Sequence, residues 1–164
     1  MVLYLCIKIL CILESCFKLV ENLHEYCIVM TKATPVNKVF LVDDDKIFNI
    51  FQKKVVEKAG LSNEVFAFEN ASNVIHQLRD MLLQNPEQIP DVIFLDLNMP
   101  IMDGWEFLEE FEKIAFPSPD RCKVYILSSS IDPFEIARSK NYKTVKEFIS
   151  KPLTIDKLKE LFFQ

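Results

Sequence analysis

Four groups of residues in this chain carry side chains used in group transfer, and each stands at the end of a short apolar run. Asp43, Asp44 and Asp45 follow KVFLV (38–42), and Asp96 follows DVIFL (91–95). Ser128, Ser129 and Ser130 close KVYILS (123–128) and extend it, while Lys151, followed by Pro152, comes directly after KEFIS (146–150). Crowded carboxylates repel, and each raises the others' pKa unless a cation intervenes. With oxygen ligands only, and no histidine or cysteine beside them, the expected cation is magnesium. It takes few carboxylates and keeps positions for water and phosphate oxygens. A carboxylate beside such an ion, with a lysine and a hydroxyl opposite, can attack a phosphoryl group. The metal and Lys151 would then neutralise charge on the transferring oxygens. Asp96, a lone carboxylate ending an apolar run, is the expected nucleophile.

These residues act together only if the fold brings the four run ends to one edge. From residue 38 onward, short apolar runs alternate with amphipathic segments, the pattern of strands feeding helices in an α/β parallel sheet. A helix is predicted over 46–58, where Ile47, Ile50, Phe51 and Val55 recur at helical spacing and Gly60 supplies the cap. EVFAF (64–68) is the second strand, followed by a helix over 71–83 that the prolines of QNPEQIP stop. DVIFL is apolar enough for a central strand buried on both faces. A helix over 104–114 follows it. KVYILS is the fourth strand, and Asp132 with Pro133 opens a helix reaching about residue 140 in an N-cap and first-turn arrangement. KEFIS is the fifth strand. Thr154 caps a last helix whose inward stripe is Ile155, Leu158, Leu161 and Phe162. In an open parallel sheet the ligand site lies outside the carboxyl ends of the strands, which is where the polar groups stand.

Each group taken alone has a plainer reading. The three aspartates can be an N-cap cluster stabilised by a helix dipole. Ser128–Ser130 can be a polar loop, Lys151 with Pro152 an ordinary turn, and Phe148 a core residue. Taken in order, they resemble the receiver domain of two-component response regulators, over residues 39–162. The family motif DxxMPxxDG is met by Asp96, Met99, Pro100, Asp103 and Gly104. The resemblance implies a flavodoxin-like (βα)5 three-layer sandwich with a five-stranded parallel sheet of order 2-1-3-4-5. It implies that Asp96 is the phosphoacceptor, and that magnesium is held by Asp43, Asp44, Asp96 and the backbone carbonyl of Asn98. It also implies that Ser128 and Lys151 assist transfer, that Ser128 and Phe148 form the switch, and that the Lys151–Pro152 bond is cis. Two departures stand out. The family's glycine before the last strand is missing, with Asn141 able to take a left-handed conformation instead. The switch aromatic, Phe148, has no hydroxyl.

The resemblance implies a sensor histidine kinase or histidine phosphotransfer protein as donor. It implies a downstream protein, or a second copy, as the partner of helix 4, strand 5 and helix 5. Catalysis would extend only to the protein's own phosphorylation and dephosphorylation. An aspartate-nucleophile phosphatase of the haloacid dehalogenase type is the enzymatic rival, but it expects a general-acid aspartate where Asn98 stands. An unphosphorylated receiver-like interaction module is the other rival. The net charge of −5 argues against a nucleic-acid surface. Two glycines in 164 residues leave no phosphate-cradling loop. Five cysteines without a CxxC, and two distant histidines, argue against a disulfide framework or zinc site and for a cytoplasmic chain.

Residues 1–29 differ in composition, being rich in cysteine, leucine and isoleucine. Their apolar run is broken by Lys8, and it is shorter than the ~20 residues a membrane span needs. Three readings stand: an amphipathic or partner-binding helix, a structural extension, or a start upstream of the biological one at Met30. The last is the expectation. The predicted division is an extension over residues 1–37 and one receiver domain over 38–164, a stand-alone module without an output domain.

Overall fold

The computed structural model describes residues 35–118 and 120–163. The expected extension, residues 1–37, lies outside the described residues over 1–34, and so does the expected start at Met30. Five strands alternate with five α-helices: β1 Lys38–Val42, α1 Lys46–Ala59, β2 Glu64–Phe68, α2 Ala71–Gln84, β3 Val92–Asp96, α3 Gly104–Glu112, β4 Lys123–Ser128, α4 Pro133–Ser139, β5 Val145–Ser150 and α5 Ile155–Phe162. All strand pairs are parallel, and the order is β2-β1-β3-β4-β5. β1 and β3 are buried at every residue, as continuous apolar runs between two helical layers must be.

Side-chain alternation divides the core in two. Phe40, Val42, Ile93, Leu95, Val124 and Ile126 pack with Val74 and Leu78 of α2 and with Phe107, Leu108 and Phe111 of α3. Val39, Leu41, Phe94, Tyr125 and Leu127 face the other way, onto Val56 of α1 and Leu158 of α5. Truncating one of the fully buried phenylalanines, such as Phe94 or Phe107, to alanine costs about 3–5 kcal/mol.

Helix ends follow the local chemistry. Asp45 caps α1 by accepting from the backbone N–H groups of Ile47 (2.8 Å) and Phe48 (3.0 Å), and Gly60 ends it with φ 72°. Asp103 and Glu106 form a reciprocal capping box on α3. Asp132 caps α4 with Pro133 in its first turn, and Thr154 caps α5.

Two expectations need correction. Asn141 does not take the left-handed conformation. Among the described residues the one non-glycine with positive φ is Ile101 (72°), the centre of a γ-turn closed by the Met102 N–H to the Pro100 carbonyl at 2.9 Å. The chain before β5 instead turns through consecutive bonds from the Asn141 N–H to the Arg138 carbonyl and from the Tyr142 N–H to the Ser139 carbonyl. α3 also ends at Glu112, two residues short of the predicted limit. In α1 the periodicity located the helix, yet Ile47, Ile50 and Phe51 are exposed and the buried residues are Asn49, Gln52 and Val56.

Candidate functional site

The carboxyl ends of β3 and β4, and the loops leaving β1, β3 and β5, carry the predicted residues, and register explains why they meet. β1 and β3 are neighbours, with Val42 beside Leu95, so Asp43 and Asp96 emerge next to each other. On the other side of β3, Asp96 lies opposite Leu127, and Ser128 lies opposite Ser150 of β5. The Lys151 N–H donates to the Ser128 carbonyl at 2.9 Å, which sets the lysine at the same edge. The Lys151–Pro152 peptide is cis.

Carboxylate oxygens of Asp43, Asp44 and Asp96 can all lie within 4.8 Å of one another; Asp43 and Asp96 are buried, while Asp44 is exposed. Lys151 Nζ donates to Asp43 Oδ2 at 2.6 Å and stands 2.9 Å from Asp96 Oδ1. The second approach is an ion pair, and beyond it Asp96 Oδ1 has no hydrogen-bond partner among the described residues. Phe48 of α1 covers the ammonium, its ring centroid 4.5 Å from Lys151 Nζ.

Burial and pairing compete here. Loss of water pushes the Asp43 carboxyl up, against the lowering effect of the Lys151 hydrogen bond and of the Asp45 N–H (2.9 Å to Asp43 Oδ1). For Lys151, burial alone would lower the pKa, but the pairing with the Asp43 and Asp96 carboxylates outweighs it and the ammonium is held above its usual range. One cation therefore serves two carboxylates, and burial leaves Asp43 under-compensated. An all-oxygen cluster with excess negative charge fits a small divalent cation.

The remaining predicted residues fall as follows. Ser128 is fully buried, and its Oγ accepts from the Ser130 N–H at 3.1 Å. Phe148 is half-buried, opposite Ile126 in register, and packs against the core cluster that holds Ile126 and Val124. Asn98 is exposed in the loop after β3. Asp45 caps α1 and lies outside the acidic cluster. Gly104 is required by contact: a Cβ there would lie 2.5 Å from the Asp96 carbonyl and 2.7 Å from Leu97 Cα. Sequence reasoning missed Phe48, Asn49 and Gln52. A polar pair at 49 and 52 on the inward face of α1 was the available signal.

The fold and this strand-end pocket define a flavodoxin-like α/β domain built around a buried carboxylate site. Residues 39–163 match the response regulator receiver domain, and the chain belongs to that family. It is 26% identical over 131 residues to the two-component response regulator ORR41 of Oryza sativa subsp. japonica, covering 77% of this chain and 91% of that protein. It is also 26% identical over 125 residues to the chemotaxis protein CheY of Bacillus subtilis, covering 76% of this chain and 92% of that one. Among solved structures, a two-component response regulator from Cytophaga hutchinsonii superposes with a TM-score of 0.71 at 29% identity, covering 78% of this chain and 95% of its own. A response regulator receiver protein from Dyadobacter fermentans does so with 0.66 at 32% identity, covering 76% and 93%.

Proposed function

We propose that this receiver domain accepts a phosphoryl group on Asp96 from a histidine kinase or histidine phosphotransfer protein and signals through a changed protein-binding face. The observation that carries this reading is Lys151 Nζ at 2.6 Å from Asp43 and 2.9 Å from Asp96. A cation is already aimed at the place where phosphoryl charge would develop. In the transfer step the free carboxylate oxygen of Asp96 forms a bond to phosphorus as the donor's bond to phosphorus breaks. The leaving group takes that bond's electrons, and an acyl phosphate results. Lys151 moves its hydrogen bonds toward the phosphoryl oxygens, and the Ser128 hydroxyl donates to another of them.

Asp43, Asp44, Asp96 and the Asn98 carbonyl would hold magnesium. When bound, it supplies further positive charge at the phosphoryl oxygens. Exposed Ile47, Ile101, Ile131 and Phe134 belong to the loops and first helical turns at this edge. They give a donor protein an apolar rim to cover. The output face runs through α4, β5 and α5, toward a downstream protein or a second copy. No helix among the described residues is long and apolar enough to cross a membrane, and the proposed location is the cytoplasm, where such donors present their phosphohistidines. The test is incubation of the purified chain with acetyl phosphate and magnesium. Acid-labile phosphate should appear in the wild type and be lost in Asp96→Asn or in EDTA. Labelling that survives either change would reject the assignment.

A further inference from the structure

Beside the acid pocket, α1 is turned inside out. Ile47, Ile50 and Phe51 face solvent at 80%, 53% and 54% exposure, while Asn49 and Gln52 are buried at 3% and 1%. Half of this is explained by Asn49, whose Nδ2 donates to the carbonyls of Asp43 (2.7 Å) and Phe68 (3.3 Å) and ties the ends of β1 and β2 together. Because both partners are carbonyls, the amide orientation is fixed, and Asn49 Oδ1 has no hydrogen-bond partner among the described residues. Gln52 is the unexplained half. Neither its Nε2 nor its Oε1 has a hydrogen-bond partner among the described residues. Methionine would fill the same space without two orphaned polar atoms, so packing does not account for the amide.

Asn49, Gln52, Asp43 and Asp96 line one small cavity, walled on its apolar side by residues such as Phe94 and Leu127. Its volume is about 10 Å³, which is the threshold for holding a single water. A water also needs two to four polar partners. The cavity-lining residues carry three polar atoms without a partner among the described residues, Gln52 Nε2 and Oε1 and Asn49 Oδ1, and a fourth, Asp96 Oδ1, whose partner is the Lys151 ammonium.

We propose that this cavity is a built water site, and that Gln52 acts through the bound water as a positioning residue for the Asp96 carboxylate. The water accepts from Gln52 Nε2 and donates to Asp96 Oδ1 and to one of the two amide oxygens, so every orphan but one is paired. With Oδ1 held by Lys151 on one side and by the water on the other, the carboxylate plane is fixed and the second oxygen is presented outward for attack. Removing the tether lowers the fraction of molecules in attack geometry. This inference rests on the reading of Asp96 as phosphoacceptor.

The test compares the full wild-type chain with Gln52→Met, using acetyl phosphate as the probe, and pairs it with a high-resolution crystal structure of the wild type. The labelling rate at saturating magnesium and donor should fall about tenfold, the loss of one hydrogen bond to a charged group, with the half-saturating magnesium concentration changed by less than about twofold. Thermal stability should be retained or raised, because methionine removes two orphaned polar atoms. Density for a water should lie within hydrogen-bonding distance of both Gln52 and Asp96. A Gln52→Met rate equal to wild type, a variant that loses its fold, or wild-type density without that water would each overturn the proposal. A wild-type chain that takes no label would fail the phosphoacceptor reading instead, leaving the crystallographic arm to decide the water site.

Discussion

Gly104 and Asp43 show how tightly single residues are held around Asp96. A methyl group at position 104 must displace the Asp96 backbone, since its nearest neighbours would be backbone atoms at 2.5 and 2.7 Å and not a flexible side-chain tip. Gly104→Ala is therefore expected to lower stability by about 1–3 kcal/mol, measured by urea denaturation, and to slow labelling of Asp96 by shifting the end of β3. Asp43 gives a pH dependence. Its folded pKa is raised, mainly by burial, so the folded state holds this proton more tightly than the unfolded chain does. Without a divalent cation, the Asp43 contribution to stability thus declines as pH rises from the ordinary aspartate value through the raised one, and stays low above it. Thermal melts in EDTA should show Asp43→Asn more stable than wild type at neutral pH, with the difference vanishing under acid conditions. Magnesium should stabilise the wild type and much less the variant. A wild-type melting temperature indifferent to magnesium would contradict the cluster's role.

At the scale of elements, α4 is the least anchored helix. Its one buried residue is Ser139, and Phe134 is 84% exposed. Its side-chain ties run to α3 and onward: Arg138 lies 4.2 Å from the Trp105 ring centroid, and Trp105 stacks on Tyr142 at 5.9 Å. α5 is tied to β5 by Lys157 and Glu147 at 2.7 Å. A weakly held helix next to Ser128 is what a two-state response needs, because phosphate has to bias an element with two arrangements of similar energy. Beryllofluoride with magnesium is expected to shift amide signals across residues 132–162. Ser128→Ala should weaken that response while Asp96 still accepts phosphate. If those signals stay fixed while those near Asp96 move, Phe148 is a core residue only. The elements were legible where apolar runs and caps agree, as in β3 and in α4 behind Asp132 and Pro133. They were less so in α1, whose apolar residues locate the helix but face solvent. Periodicity counts apolar residues and cannot tell which face the sheet claims when the inward positions are polar.

For the molecule as a whole, strand order follows from the family pattern, and parallel pairing converts four separate run ends into one pocket. Asp43, Asp96, Ser128 and Lys151 were legible because each closes a strand. Phe48, Asn49 and Gln52 were not, since they stand on one helix and face groups that only the tertiary fold brings near. The central claim is that Asp96, and no other carboxylate, is phosphorylated. Borohydride reduction of the acetyl phosphate-treated chain, followed by peptide mass spectrometry, tests it directly, because reduction converts an aspartyl phosphate into homoserine. Homoserine is expected at position 96 alone, dependent on magnesium. Homoserine at Asp43, Asp44 or Asp103, or unmodified Asp96 in a chain that carries label, would contradict it.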